Sequence, residues 1–417
     1  MVDRAGGVWT RLRAGWSGLS GSTTQLNLGF SRAPTGPGGD SAVRTRPGTI
    51  CVDAGGGRDQ HQCVERINDA YRSGFSDLVR RLALASEGRL LTIQVDSEAE
   101  NTWRGANPTA SGVAAGYADA VCLAAEGLRA AKAEDQRLAG ARVVALGWNP
   151  ADLIANYPEI AESTGKVVFL KDFLAQTAAL EQTRGRCFDA LGVHLSRAPE
   201  TVPATVEFIS KQIRSQLGAD SGRAIWSDDT ASGPVFNSDD PRAEGLASGD
   251  QSAIAAYERE QVINLTRKSM LAWSSGVGRV YASSALDQQI YDPVTAPSLV
   301  FWNHQGLLDM DGSVKPSYEA WAELAKQVRG STSITRRTKR SYVIDRGPGR
   351  RRTVVAWSDR GTRRANFSDI LNGRLVSIQR MAGSAGQELP APGRAKTRRV
   401  KVGVVPVIVN GRGSGKS

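Results

Sequence analysis

From residue 75 to residue 328 the sequence alternates between short apolar runs and stretches whose apolar residues recur at helical spacing. Short continuous apolar runs predict buried strands, whereas apolar repeats three and four residues apart predict amphipathic helices. We predict five strands: LLTIQV (90–95), ARVVALG (141–147), FDALGVHL (188–195), RAIWS (223–227) and GRVYASS (278–284). We predict helices over 75–84, 113–128, 206–217, 254–273 and 318–328.

This alternation predicts an α/β fold with a parallel sheet and helical crossovers. VWTRLR (residues 8–13) is a candidate sixth strand. An eight-stranded barrel and an open doubly wound sheet both satisfy the pattern. No Gly-rich phosphate-binding sequence follows any predicted strand, which disfavours a dinucleotide-binding sheet.

Residues 14–63 interrupt the alternation. They are rich in Gly, Ser, Thr, Pro and Arg and contain no periodic apolar stretch of useful length. This composition predicts a long loop or a disordered segment where a barrel needs its second and third strands. The segment is either a degenerate part of a homologue or a stretch translated in the wrong frame.

Beyond Gly330 the pattern changes to short β-type runs separated by glycines and charges, which predicts a small antiparallel β-domain over residues 331–417. This region holds 20 Lys and Arg against 4 Asp and Glu, whereas residues 1–330 hold 33 against 38. The chain's net charge of +11 therefore arises in its last part. Such asymmetry indicates two modules, 1–330 and 331–417.

The apolar content, the N-terminus and the cysteines bear on whether the chain is a membrane, secreted or metal-binding protein. Apolar residues make up 40% of the chain, and no apolar run approaches the roughly 18 residues of a membrane span. The N-terminus lacks the apolar core of a secretory signal, so either the protein is cytoplasmic or its true start lies upstream. Four cysteines show no metal-ligand spacing, although Cys51 and Cys63 could form a disulfide. We expect neither a metal nor a cofactor.

Polar side chains follow three of the predicted strands. LLTIQV runs into Asp96, Ser97 and Glu98, FDALGV ends at His194, and RAIWS runs into an Asp-Asp pair. The C-terminal ends of barrel strands carry the reactive groups of barrel enzymes. Carboxylates on two strand ends suit hydrolysis of a glycosidic bond, which needs one carboxylic acid and one carboxylate.

Several segments together resemble the clan A glycoside hydrolases. IQVDSEAENTWRG is similar to their fourth-strand motif, in which Asn-Glu-Pro presents the acid/base, and FDALGVHL is similar to their sixth strand. AIWSDDTA is similar to the seventh strand, which carries the nucleophile, and GLLDMDGSVKPSYEAWAEL to the segment that enters the last helix. The resemblance covers roughly residues 75–415 and implies a (β/α)8 TIM-type barrel, either complete or incomplete near strands 2–3, followed by an accessory β-domain.

The resemblance implies a role for several residues. Glu98 matches the acid/base and Asp229 the nucleophile, and His194 matches a sugar-binding position. Further substrate-binding candidates lie nearby in the motifs or, by analogy, near the barrel mouth: Ser97, Asn101, Trp103, Trp226, Asp228 and Trp302.

The sequence departs from the family pattern at three positions. Ser97 replaces the motif's Asn, Ala99 replaces its Pro, and Asp229 replaces Glu while Asp228 competes for the same alignment. Asp is one methylene shorter than Glu, and a misplacement of about 1 Å can cost ~100-fold in rate.

The resemblance thus predicts a glycoside hydrolase acting on O-glycosidic bonds of a β-linked glycan or glycoside. Its partner is a carbohydrate, with neither nucleic acid nor a membrane span expected. One alternative is a catalytically inactive barrel that binds carbohydrate. Another is a protein that binds an anionic polymer through its basic β-domain.

Overall fold

The computed structural model describes residues 24–28, 43–52, 60–103, 112–148, 165–234, 240–348, 350–367, 370–371, 375–381, 388–389 and 399–412. The chain divides into two compact units, 1–193 with 207–226, and 194–206 with 227–417. This division differs from the predicted boundary at residue 330, which we retain as a proposal for the domain organisation.

Strands and helices alternate along the first part of the chain. In order they are β1 Thr24–Leu28, β2 Val43–Val52, β3 Gln60–Ile67, α1 Arg72–Ala85, β4 Leu90–Val95, α2 Ala99–Thr102, α3 Ala115–Glu134, β5 Arg142–Trp148, α4 Gly165–Arg184, β6 Ala190–His194, α5 Val202–Leu217 and β7 Ala224–Ala231. The next elements are α6 Arg242–Ala247, α7 Gln251–Ser274, β8 Val277–Ser283 and α8 Pro316–Val328.

A six-stranded sheet has the order β1-β4-β5-β6-β7-β8. β1, β4, β5 and β6 pair in parallel, with Leu26 opposite Ile93, Ile93 opposite Val143, and Val144 opposite Ala190. Ile93, Val143 and Val144 are buried, as continuously apolar strands between helical crossovers require. The predicted α/β class and the five predicted strands are confirmed. Closure into a complete eight-stranded barrel stays a prediction.

The interpretation of residues 14–63 as a structureless segment is wrong for its described part. Residues Thr24–Leu28 form β1, and Val43–Val52 pair antiparallel with β3. The described part of the segment adds one strand, β1, to the parallel sheet. β1 is only five residues long, which is too short for a periodic signal, and the apolar runs of β4 provide the partner that fixes it. The candidate strand at 8–13 lies outside the described residues.

Helix α4 was not predicted, yet it makes the crossover between β5 and β6. Its buried residues are Val167, Phe169, Leu170, Phe173, Leu174 and Thr177. They lie in the first two-thirds of the helix, and no residue from 178 to 184 is fully buried. The apolar stripe is therefore too short for a periodic pattern to stand out over twenty residues.

The C-terminal region folds as antiparallel β-structure, as predicted. Its strands are β9 Ser333–Thr338, β10 Ser341–Asp345, β11 Arg351–Ala356, β12 Arg363–Asn366, β13 Leu375–Arg380, β14 Glu388–Leu389, β15 Arg399–Val402 and β16 Val407–Arg412. Six form a sheet of order β14-β13-β16-β11-β10-β9, and β12 pairs with β15. One of the short β-type runs after Gly330, KVGVVPVIV (401–409), is divided between β15 and β16, because Pro406 cannot donate a ladder hydrogen bond.

A disulfide joins Cys122 on α3 to Cys187, which lies just before β6. Both residues are fully buried, and 65 residues of chain separate them. Neither their spacing nor any motif predicted this pair. Cys63 is also disulfide-bonded, while the side chain of Cys51 lies outside the described part.

We expect the Cys122–Cys187 disulfide to stabilise the first unit by restricting its unfolded chain. A closed loop of 65 residues corresponds to about 4 kcal/mol in the chain-entropy model. Thermal denaturation should therefore show a lower Tm for the double variant Cys122→Ala/Cys187→Ala than for the oxidised parent. Since reductant also opens the Cys63 disulfide, the double variant isolates the contribution of this pair. Equal Tm values for parent and double variant would contradict the assignment.

Candidate active site

Strained backbone marks the ends of β4 and β5. Among the described residues, four other than glycine have positive φ: Glu87 (53°), Asp96 (57°), Glu98 (50°) and Leu146 (79°). Three of the four lie where β4 and β5 end. Such conformations cost of order 1–3 kcal/mol each and cluster at functional sites, where the surroundings hold them in place. This cluster singles out the end of β4 independently of any sequence motif.

Asp96 anchors the turn that leaves β4. Its backbone N–H donates to Leu28 O at 3.0 Å, and its carboxylate accepts hydrogen bonds from Trp103 Nε1 at 2.9 Å and Ser97 N at 3.0 Å. The residue is only 4% exposed. Asp96 is therefore a positioning residue that fixes the backbone just before Glu98.

Glu98 combines a fixed backbone with a carboxylate that reaches the surface. Its N–H donates to Gly147 O at 3.2 Å, so its main chain is tied to the end of β5. Its Oε2 accepts a hydrogen bond of 2.7 Å from Asn101 Nδ2. Glu98 is half-buried, whereas the nearby Glu100 is fully buried and lies 3.5 Å from Lys166 Nζ. Of the three acidic residues at this strand end, Glu98 is the least buried.

Tyr117 on α3 holds the ends of β4 and β5 together. Its hydroxyl donates to Val95 O at 2.6 Å and accepts from Leu146 N at 2.7 Å. Trp103 packs edge-on against the Tyr117 ring, with 5.5 Å between ring centroids, and is 1% exposed. A tryptophan that stacks on sugar must expose a ring face. The structure thus favours a core role for Trp103 over the predicted sugar contact, and the same burial argument applies to Trp226, which is 6% exposed.

In the second unit, His194 at the end of β6 faces Asp228 of β7. His194 Nε2 lies 3.7 Å from Asp228 Oδ2, and the two side chains are 7% and 2% exposed. The backbone holds this register, since Leu195 N donates to Asp229 O at 2.7 Å. The strand was predicted to end before the two aspartates, but β7 continues through them to Ala231.

The side chains of Asp229 and Asp228 lie in different surroundings. Successive residues of a strand point to opposite faces, so Asp229 points away from the face on which Asp228 meets His194. The charge of Asp229 acts instead on Lys268 of α7, whose pKa it raises against the larger opposing effect of burial. Of the two adjacent aspartates, Asp228 is therefore the one whose side chain lies beside His194.

A further polar cluster follows β8, and the sequence did not reveal it. Lys315 Nζ lies 2.6 Å from Asp287 Oδ2, and both side chains are buried. His304 Nδ1 lies 3.8 Å from the same oxygen, and burial lowers the pKa of His304. Trp302 is half-buried beside Phe301. The cluster combines residues spread over 287–315, which no local pattern brings together.

The described residues contain no group of three or more His, Cys, Asp or Glu arranged to hold a metal ion. In the same part of the chain, no helix is both long enough and apolar enough to cross a membrane.

The fold is similar to that of solved glycoside hydrolases. With a TM-score of 0.50 and 14% identity, 82% of the chain matches 62% of a family 39 glycoside hydrolase from the gut symbiont Bacteroides cellulosilyticus WH2. The chain thus spans less than two-thirds of that protein's length. No protein-family model and no curated protein matches the sequence.

Two further structures give TM-scores of 0.49 at 12% identity. One is a glucosidase from Croceicoccus marinus, matched over 83% of this chain and 75% of that one. The other is a β-porphyranase of glycoside hydrolase family 86 from Bacteroides plebeius, matched over 81% and 60%. At 14% identity the match to the family 39 structure concerns the fold alone, and it agrees with the α/β fold that the sequence predicted.

The buried Lys268 makes stability depend on pH. Its side chain is fully buried, its Nζ donates to Ala231 O at 2.9 Å, and burial lowers its pKa from 10.5 to about 7. Between these two values the unfolded chain binds the proton that the folded chain has lost. Folding stability therefore rises as the pH is raised from 7 towards 10.5.

Lys268→Met removes the buried charge and this pH dependence. We expect the Tm of Lys268→Met minus the Tm of the parent to be most positive near pH 6. This difference should decrease towards pH 10, because the parent gains stability as the pH rises. Lys326→Met, at a lysine whose side chain is 76% exposed, is the matched control and should show no such trend. A Tm difference for Lys268→Met that does not change with pH would refute a depressed pKa at this site.

Proposed function

We propose that this protein is a glycoside hydrolase that cleaves O-glycosidic bonds of a β-linked glycan or glycoside, with Glu98 as general acid/base. One observation carries the proposal. Glu98 is a half-buried carboxylate on a left-handed backbone, at the C-terminal end of a parallel strand, in a chain with a glycoside hydrolase fold. Strand ends of this kind present the reactive groups of barrel enzymes.

The role follows from the chemistry of the bond. A sugar's leaving oxygen must be protonated as the glycosidic bond breaks, and a carboxylic acid held in one orientation can do this. Asn101 fixes the orientation of the Glu98 carboxyl, and the Gly147 carbonyl fixes its backbone. Ser97, in place of the family's Asn, offers a shorter side chain to a sugar hydroxyl.

We propose Asp228 as an alternative to the predicted Asp229 for the second carboxylate. Asp228 is the aspartate beside His194, whose match to a sugar-binding position comes from the family resemblance. In this role the carboxylate either attacks the anomeric carbon or activates a water molecule. The anomer released from an aryl glycoside, followed by NMR, distinguishes the two routes, since attack retains the configuration and water activation inverts it.

A catalytically inactive carbohydrate-binding barrel is the second candidate. The departures at Ser97 and Ala99 favour it, because they alter the motif around the acid/base while leaving the sheet intact.

Glu98→Gln should abolish most turnover while sparing binding. The amide keeps the shape of the side chain but cannot supply the proton, so we expect kcat on aryl β-glycosides to fall by roughly 10²–10⁴-fold. Glu87→Gln is the matched control, since Glu87 has the same positive φ but lies exposed before β4. Glu98→Gln turning over as fast as the parent would disprove the assignment. If parent and variant both bind glycans without turnover, the inactive barrel is the better description.

Asp228→Asn and Asp229→Asn separate the two candidates for the second carboxylate. We expect Asp228→Asn to lose at least about 100-fold in kcat/KM, because it removes the charge facing His194. Asp229→Asn should stay within a few-fold of the parent and instead lower the pKa of Lys268, which is measurable as a shifted pH dependence of Tm. The reverse ranking in kcat/KM would restore Asp229 as the second carboxylate.

A further inference from the structure

The antiparallel β-structure carries a cationic cleft that the proposed hydrolysis does not use. Its volume is about 440 Å³, and four basic side chains line it: Arg337, Lys339, Arg340 and Arg363. No acidic side chain is among the described residues that line it.

Regular structure positions these cations. Arg337 lies in β9, and Lys339 and Arg340 form the turn that leads into β10. Arg363 begins β12, which pairs with β15. Three of the four residues are exposed, and only Arg340 is half-buried. The basic groups therefore face solvent from a paired scaffold.

The rest of the lining suits a polar chain that lies along the cleft. Thr338 and Asn366 add hydrogen-bonding groups at its wall. Phe367 and Ile370 form its base and belong to the hydrophobic core cluster beneath the strands. Packing of the base into the core keeps the cleft open without a ligand.

Its charge is only partly neutralised. Asp359 forms an ion pair with Arg340, and Arg363 donates to the Trp357 carbonyl at 3.2 Å. Lys339 has no ion-pair partner within the described part of the chain. Guanidinium groups bind carboxylate and sulfate oxygens in pairs, so such a cleft favours anionic ligands.

A second basic cleft nearby provides a comparison. It has a volume of about 510 Å³ and is lined by Lys326, Arg346, Arg350 and Arg351, among others. The Arg346 guanidinium is already engaged, donating to Gln327, Thr353 and the Arg351 carbonyl. Internal hydrogen bonds thus occupy the central cation of this cleft, and we assign the ligand site to the first cleft.

We propose that the Arg337–Arg363 cleft binds an anionic polysaccharide through its sulfate esters or uronate carboxylates. The choice of a glycan over nucleic acid rests on the proposed function. It also fits the lining, because the aromatic residue of the cleft, Phe367, is 5% exposed and cannot stack on a base. The cleft would hold a charged polymer close to the enzyme that cleaves it.

Binding of the full-length protein to defined polymers tests the inference. The probes are heparin for sulfate, polygalacturonate for carboxylate, dextran as a neutral polymer and a 20-base-pair DNA duplex, each at 150 mM salt. We expect heparin, polygalacturonate or both to bind more tightly than the duplex, and dextran not to bind. Binding of heparin alone identifies sulfate as the recognised group, and binding of polygalacturonate alone identifies the carboxylate.

Two double variants separate the cleft from the overall charge. Arg337→Glu/Lys339→Glu reverses two exposed cations of the cleft, and Arg350→Glu/Arg351→Glu makes the same charge change at exposed positions of the second cleft. We expect the first to raise Kd by roughly tenfold or more and the second by no more than about twofold. Thermal denaturation shows that both variants remain folded.

Four results would overturn the inference: binding of neither polysaccharide, equal weakening by both double variants, no weakening by either, or tighter binding of the duplex than of both polysaccharides. The outcome is independent of hydrolysis. A protein that cleaves aryl glycosides but binds neither polysaccharide defeats this inference alone. A protein that binds a polysaccharide through the cleft but shows no Glu98-dependent turnover would contradict the proposed function and leave this inference intact.

Discussion

The hydroxyl group of Tyr117 joins the ends of β4 and β5, and the geometry around Glu98 depends on this junction. By donating to Val95 and accepting from Leu146, it satisfies two backbone groups that the strands leave unpaired as they diverge. Leu146 can then keep its positive φ, and Gly147 presents its carbonyl to the Glu98 N–H. A buried hydroxyl thus fixes the backbone of a residue that it does not contact in any described hydrogen bond. Because positive φ is costly for Leu and Glu, this arrangement persists only while the buried interactions around it remain intact.

The sequence predicted the elements that bury a continuous apolar run. LLTIQV forms β4, and the Ala-rich stretch after it forms α3. A strand buried on both faces has a continuous apolar run, and a helix buried along one side has apolar residues at helical spacing, so both can be recognised in the sequence. The elements it missed lack such a signal. β1 is short and depends on β4 for pairing, and α4 buries only part of its length. The Cys122–Cys187 pair was also missed, since disulfide connectivity depends on tertiary contacts and not on spacing.

In the candidate site, too, features set by neighbouring residues could be predicted from the sequence, whereas features set by tertiary contacts could not. The motif around Glu98 is contiguous, so its place at a strand end could be predicted from the sequence. The choice between Asp228 and Asp229 could not, because a register difference of one residue turns a side chain to the opposite face of a strand. Placing both residues inside β7, with the Asp229 carbonyl bonded to Leu195, settles which aspartate faces His194. Likewise, the motif predicted Trp103 as a substrate-binding residue, but its buried indole N–H donates a hydrogen bond to the Asp96 carboxylate.

Basic residues serve two physically different purposes in the second unit. Lys268 is buried, and the low dielectric around it favours its neutral form, so its contribution to stability changes with pH. The arginines of β9 and β12 are exposed to solvent. Net charge alone, which the sequence supplies, does not distinguish these cases. A buried lysine changes the stability of the fold, whereas exposed cations that line a cleft are accessible to a ligand. The excess of basic residues after Ser331 therefore has consequences for binding only where the strands bring exposed cations to one cleft, as they do around Lys339.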